Sequence, residues 1–300
     1  MEKHLKSLLL LFFIIGSFLS FSQESDNLKK PENNSPINLY ALFSIGITNP
    51  IYRDFATSPL FYEGIGIEIS RTWMKRSEER ERIFGIGFGI SFQTARIPES
   101  DFIQPGSIAG FGKFDLFYQE LWKLDILSDN KNNTKIGGAI LTTQNVRGNP
   151  DLQNNTLGLE NISNIMASAQ WTRDITRTET KQLNFWIWKP NLNPVKRDLR
   201  FLLNVGVLNF NYRPGYAYAY DSELIGMETN PVEWAFSNYK WSMNGWRIKT
   251  HLEYIKYLPK GNARSWSYVW EAAHTPGKFE DFQMASHQLR YTIYFNSNKR

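Results

Sequence analysis

Side chains able to carry acid–base, nucleophilic or metal chemistry are sparse in this 300-residue chain, which holds four histidines, His4, His251, His274 and His287, and no cysteine. Without thiols there is no disulfide framework, thiolate zinc site, cysteine nucleophile or lipid-modified N-terminal cysteine. So few histidines leave little for a multi-histidine centre, and neither metal nor cofactor is expected. A serine activated by histidine needs the imidazole beside its hydroxyl, which on a strand reads His-x-Ser. The residues two beyond His251, His274 and His287 are Glu253, Pro276 and Leu289, so that pattern is missing. His251 and Glu253 share a strand face and suit a base with its orienting acid, but Arg247 and Lys249 share it too. A network of ion pairs is the simpler expectation, with no catalytic residue. Gly85-x-Gly87-x-Gly89 lacks the closing x-x-Gly of a phosphate loop and reads as small-residue packing on a strand. The Asp and Asn residues of 125–134 and 149–161 lack the oxygen spacing of a calcium loop and read as turns.

The elements that must position these groups read as β-strands. Phe84, Ile86, Phe88, Ile90 and Phe92 alternate with Gly85, Gly87, Gly89, Ser91 and Gln93. Ile65, Ile67, Ile69 and Trp73 alternate with Gly64, Gly66, Glu68, Ser70 and Thr72, with Arg71 intruding on the apolar face. The charged block 75–82 makes this pair a hairpin. Trp246, Ile248, Leu252 and Tyr254 alternate with Arg247, Lys249, His251 and Glu253, entered through Asn244-Gly245, a tight-hairpin signal. Leu289, Tyr291, Ile293 and Phe295 alternate with Gln288, Arg290, Thr292 and Tyr294. Further candidates are 39–48, 108–121, 135–144, 165–175, 182–188, 201–212, 216–220, 233–243 and 265–273. All 13 prolines fall outside these segments, as a hydrogen-bonded ladder requires. Residues 116–124 and 159–169 fit a helical face equally well. Thirteen candidates become twelve when the short 216–220 piece is discarded, since a single-chain barrel takes an even number of strands.

Residues 1–23 read as a secretory signal peptide: Lys3 and Lys6, an apolar run from Leu8 to Ile15, then small Ser20 and Ser22. A polar tail spans 24–37 and a single barrel domain 38–300. A net charge of +5 without a clustered basic stripe excludes a nucleic-acid partner. An aromatic content of 15% exceeds the need of one soluble core, and Trp73, Trp122, Trp171, Trp186, Trp188, Trp246 and Trp266 lie near predicted strand ends, where amphipathic rings suit a membrane interface.

With this patterning the chain resembles the outer-membrane β-barrel proteins of Gram-negative bacteria, and its Ser20-Phe21-Ser22-Gln23 signal end resembles those of the Bacteroidetes group. The closing strand, with Leu289, Tyr291, Ile293 and Phe295, is similar to the signal that such proteins present to the barrel-insertion machinery; Asn296 to Arg300 follow the final aromatic. The resemblance implies an all-β, antiparallel transmembrane barrel of about 12 strands in the cell outer membrane. Its partners would be outer-membrane lipid and lipopolysaccharide, with the insertion machinery during assembly. The expected function is non-enzymatic, a narrow porin-like pore or a structural or assembly component, with Arg247, Lys249, His251, Glu253 and Arg290 facing a polar lumen. An outer-membrane lipid hydrolase and a secreted soluble all-β binding protein are the alternatives. Connections near 49–60, 94–107 and 145–160 would face outward, and turns at 75–82 and 175–180 the periplasm.

Overall fold

The computed structural model describes residues 37–96, 106–182, 191–214, 239–276 and 281–298. The signal-peptide segment, most of the polar tail and the 216–220 piece lie outside them. The strands are β1 (Asn38–Asp54), β2 (Phe61–Arg76), β3 (Arg80–Arg96), β4 (Ile108–Lys123), β5 (Asn132–Gly148), β6 (Leu157–Asp174), β7 (Lys181–Gln182), β8 (Asn191–Leu192), β9 (Arg197–Pro214), β10 (Tyr239–Ser242), β11 (Trp246–Tyr257), β12 (Ala263–Thr275) and β13 (Phe282–Asn296). Neighbours pair antiparallel from β1 to β6, then β6 with β9, β9 with β11, and on through β12 and β13 back to β1. The sheet therefore closes on itself. The segments 116–124 and 159–169, ambiguous by periodicity, are parts of β4 and β6.

Ten strands form the ring rather than the expected twelve. Two readings account for the difference. Of 182–188, only Gln182 is described, in the two-residue β7, which pairs with β8 outside the barrel. The 233–243 segment is not a separate strand: its described part, β10, pairs with β9 in the register that β11 continues, Ser242 opposite Asn211 and Ile248 opposite Val205. Asn244-Gly245 is thus an interruption within one barrel strand, not a hairpin turn. Gly245 has φ +100°, and a Cβ there would meet the His274 carbonyl oxygen at 2.3 Å. Asn209 donates from Nδ2 to the Gly245 carbonyl at 2.7 Å and Asn211 to the Asn244 carbonyl at 2.5 Å, serving acceptors that the broken ladder leaves.

Two prolines stand inside strands, against expectation, because the strands run longer than the sequence pattern showed: Pro50 in β1 and Pro214 in β9. The β1–β2 ladder lapses between Thr48–Gly66 and Ile51–Glu63, where Pro50 has no N–H to give. The neighbouring Asn49 supplies the donor instead, its Nδ2 reaching the Gly64 carbonyl at 2.6 Å.

Paired positions lead from Asn38 through Arg76, Glu81, Leu121, Gly137, Ser168, Asn204, Lys249, Glu271 and Ser286 back to β1 at Pro50, a stagger of 12 residues. With ten strands this sets a tilt of about 40° and a backbone radius of about 10 Å. The start of β1 at Asn38 and the end of β13 at Asn296 share one end of the barrel, the terminal-strand end, with the turns at 77–79, 124–131 and 258–262 and the 175–196 connection. The connections at 55–60, 97–107 and 149–156 share the other. The grouping of connections by end matches the sequence expectation, although 49–54, 75–76, 80–82, 94–96, 145–148 and 157–160 belong to strands.

Burial is inverted relative to a water-soluble protein. Ile47, Ile65 and Phe92 point outward, Phe92 with 75% of its surface exposed, while Arg247 and Glu81 are wholly buried inside. The outer wall carries Phe43, Ile45, Ile67, Ile69, Phe88, Ile90, Phe114, Val205, Leu252 and Leu289. At the terminal-strand end this band is edged by Trp73, Trp122, Trp171, Tyr254, Trp266 and Tyr291, with Trp73 stacked on Phe84 at 5.7 Å and Trp266 5.0 Å from Tyr291. Trp246 lies toward the opposite end, and Trp186 and Trp188 fall outside the described residues. A wall so apolar is compatible with lipid and costly in water. Ile69→Lys, in the middle of the wall, is therefore expected to destabilise vesicle-embedded protein by about 2–4 kcal/mol in urea unfolding; an effect near zero would argue that this surface meets water.

Candidate functional site in the barrel lumen

Alternation sends every second side chain inward, and all five polar residues singled out from sequence, Arg247, Lys249, His251, Glu253 and Arg290, face the lumen. Lys249, His251, Glu253 and Arg290 line one cavity, and Arg247 lies outside its lining. The interior is cross-linked in three layers.

The layer nearest the 55–60 connection centres on Arg147, which donates to Asp54 at 2.5 Å and pairs with Glu160. Its guanidinium lies 4.9 Å from the Tyr52 ring centre and 5.1 Å from that of Phe282. Tyr52 in turn stacks on Tyr62 at 5.1 Å and Phe111 at 5.6 Å. Aromatic faces and charge fill this cross-section together.

In the middle layer Arg247 donates from Nε to Glu271 at 2.8 Å, from Nη2 to the Thr143 hydroxyl at 2.7 Å, and from Nη1 to the Asn164 amide oxygen at 3.2 Å. Lys249 and Lys113 each approach Glu271 at 3.4 Å, Lys113 also pairs with Asp115 at 2.9 Å, and Arg290 donates to Glu68 at 2.8 Å. The third layer, toward the terminal-strand end, joins Arg200 to Glu253 at 2.6 Å and to Glu81 at 3.1 Å. Arg76 bridges Glu81 and Asp198, and Lys135 lies 4.0 Å from Glu81.

The named pairs comprise eight cationic side chains, Arg76, Lys113, Lys135, Arg147, Arg200, Arg247, Lys249 and Arg290. They face eight anionic ones, Asp54, Glu68, Glu81, Asp115, Glu160, Asp198, Glu253 and Glu271. Among the described residues these lumen ion pairs balance in charge. A selective pore concentrates one sign at its constriction, and this arrangement does the opposite.

Between the second and third layers is a cavity of about 110 Å³, lined by Ser70, Thr72, Gln119, His251, Arg290 and Thr292 among others. Its volume matches about three or four waters in the liquid. Gly85 and Gly87, two of the glycines read as small-residue packing, line it. His251 Nε2 and Gln119 Oε1 are buried there without a protein partner. The His251–Glu253 pairing considered from sequence does not form, because the Glu253 carboxylate is taken by Arg200 and by the hydroxyls of Ser265 and Tyr294, each at 2.5 Å. Among the described residues no three His, Asp or Glu side chains converge as metal ligands.

Sequence reasoning found the β11 members of these layers and Arg290 on β13, and missed most of their partners. Glu271, Lys113, Arg147 and Arg200 each alternate with apolar residues, so inward parity was the available signal. Which strand each faces across the lumen depends on the ring. Arg247→Ala, leaving Glu271 buried with diminished compensation, is expected to destabilise the folded barrel by about 3–5 kcal/mol. Arg247→Met combined with Glu271→Gln should recover most of that loss, read from urea midpoints in micelles.

No protein-family model matches the chain, and no curated protein matches it. Solved structures similar to it include the outer membrane protease OmpT from Escherichia coli, at 6% identity over 91% of this chain and 100% of that one, with a TM-score of 0.49. The attachment invasion locus protein Ail of Yersinia pestis matches at 7% identity, 85% and 98% coverage and a TM-score of 0.29. The translocator domain of the autotransporter NalP from Neisseria meningitidis matches at 11% identity, 97% coverage of both chains and a TM-score of 0.35. Their named activities are those proteins' own.

Proposed function

We propose that this chain is a non-enzymatic barrel of the bacterial outer membrane whose lumen serves as a structural core rather than a conduit, so that it acts as a structural or assembly component. One observation carries the reading. The outer wall is apolar, while the described interior is crossed by charge-balanced ion pairs and packed with stacked aromatics and buried apolar clusters. Lipid and lipopolysaccharide are then the solvent of the outer wall.

The chain reaches its closed state through the β1–β13 seam, paired from Tyr40–Asn296 to Asp54–Phe282. Leu289, Tyr291, Ile293 and Phe295 on that last strand are the residues offered to the insertion machinery before the seam closes. The connections at 55–60, 97–107 and 149–156 then face the cell exterior. Of the alternatives, a pore would need the three layers to part. A lipid hydrolase would need a serine beside one of the histidines, but His287 Nδ1 bonds the Tyr268 hydroxyl and His274 Nε2 pairs with Asp281, and neither contact is to a serine.

Protein expressed with its own N-terminal segment is expected to fractionate with outer membranes and to change gel mobility on boiling in SDS. Reconstituted in planar bilayers, it should conduct no current above the lipid background, and it should leave phospholipid uncleaved. Steady single-channel current would favour the pore, and purification without detergent from the periplasm would favour a soluble binding protein.

A further inference from the structure

On five strands an outward aromatic at the edge of the apolar wall nearest the terminal-strand end is followed, two residues nearer that end, by an outward base. The pairs are Trp73 with Lys75, Phe84 with Arg82, Trp171 with Arg173, Tyr254 with Lys256 and Trp266 with Arg264. Two residues along a strand is one step on the same face, about 7 Å, so each base sits just beyond the ring that marks the lipid boundary. The bases are densest on β9, β11 and β12. There Arg197, Lys256 and Arg264 stand directly opposite one another in a single cross-strand row.

Like charges opposed across neighbouring strands destabilise a sheet unless an anion lies among them. Among the described residues no acid forms an ion pair with the row. The next residue in the row is Ile293 of β13. The nearby acids Asp198 and Glu253 point inward, to Arg76 and Arg200. Arg197 donates from Nη1 to the Tyr254 hydroxyl at 3.2 Å, but its Nε is buried without a partner. Lys256 and Arg264 have no ion pair among the described residues. By contrast Arg80 and Arg82, on the same collar, share Glu120.

We infer that the row Arg197–Lys256–Arg264 is a binding site for the phosphate of an anionic glycerophospholipid in the leaflet at the terminal-strand end of the barrel. A lipid is the fitting source of that phosphate because the row adjoins Tyr254, Trp266 and Tyr291, whose rings border the acyl region while the bases reach the headgroup level. Guanidinium and ammonium groups then meet the phosphate with charge-assisted hydrogen bonds, and the repulsion within the row becomes attraction to one ligand. The inference rests on the reading of the barrel as membrane-embedded.

The test uses full-length protein refolded into phosphatidylcholine vesicles containing trace spin-labelled phosphatidylglycerol or spin-labelled phosphatidylcholine. The motionally restricted fraction of each label is measured by electron paramagnetic resonance. Wild type should restrict the anionic label about threefold more than the zwitterionic one, and salt near 1 M should weaken the preference. Lys256→Gln with Arg264→Gln should cut it by about half or more, while Arg53→Gln at the opposite end leaves it unchanged; boiling-dependent gel mobility confirms that each variant is folded. Equal restriction of both labels, or a preference that survives the double substitution, overturns the site and leaves the membrane barrel standing. No restricted lipid of either kind overturns both.

Discussion

Closure of the sheet into a ring is the constraint on which the rest of this structure depends. Every backbone N–H and C=O on the wall must find its partner within the chain, so the sheet has no free edge and β13 returns to β1. Ring closure with ten strands and a 12-residue stagger then sets tilt and radius, and hence how much space the inward side chains must fill. Local defects in the ladder are repaired by side chains in the same terms. Asn49 serves the carbonyl that Pro50 cannot, and Asn209 and Asn211 serve the broken strand at Asn244-Gly245.

A radius of about 10 Å leaves an interior that inward side chains can span. Alternation places an aliphatic and aromatic wall outside, while the inside interleaves charge, amide and hydroxyl groups with buried apolar clusters that include Tyr52, Phe282, Met74, Ile255, Leu141 and Met166. Buried charges are tolerable only when paired and hydrogen-bonded, and the lumen meets that demand by layering eight cations against eight anions, with aromatic rings where the guanidinium of Arg147 needs a neighbour. Gly85 and Gly87 line the His251 cavity, where His251 Nε2 and Gln119 Oε1 are buried without a protein partner.

The outer wall obeys a second logic set by depth. Aliphatic residues occupy its middle, aromatic residues its edge, and bases the step beyond, so each strand carries a short record of the environment it crosses. On β9, β11 and β12 the row of bases has no ion-paired acid among the described residues, and the lipid proposed above is the partner that would balance it.

Much of this was legible in the residues alone, because a strand's side-chain period is local: once Phe84 and Phe88 face one way, Gly85 and Gly89 must face the other, and the same holds for Arg247 and Glu253 against Trp246 and Leu252. The all-β class, the inward set on β11 and β13 and the grouping of most connections by end followed from that rule. Strand number did not, because an interrupted strand and two strands joined by a turn look alike around Asn244-Gly245 until both pieces are seen to share one register on β9. Nor did the partners: the Thr143 hydroxyl that receives Arg247 lies 104 residues away in sequence. Which side chains meet across a lumen is fixed by stagger and closure, properties of the whole ring that no window of the sequence contains.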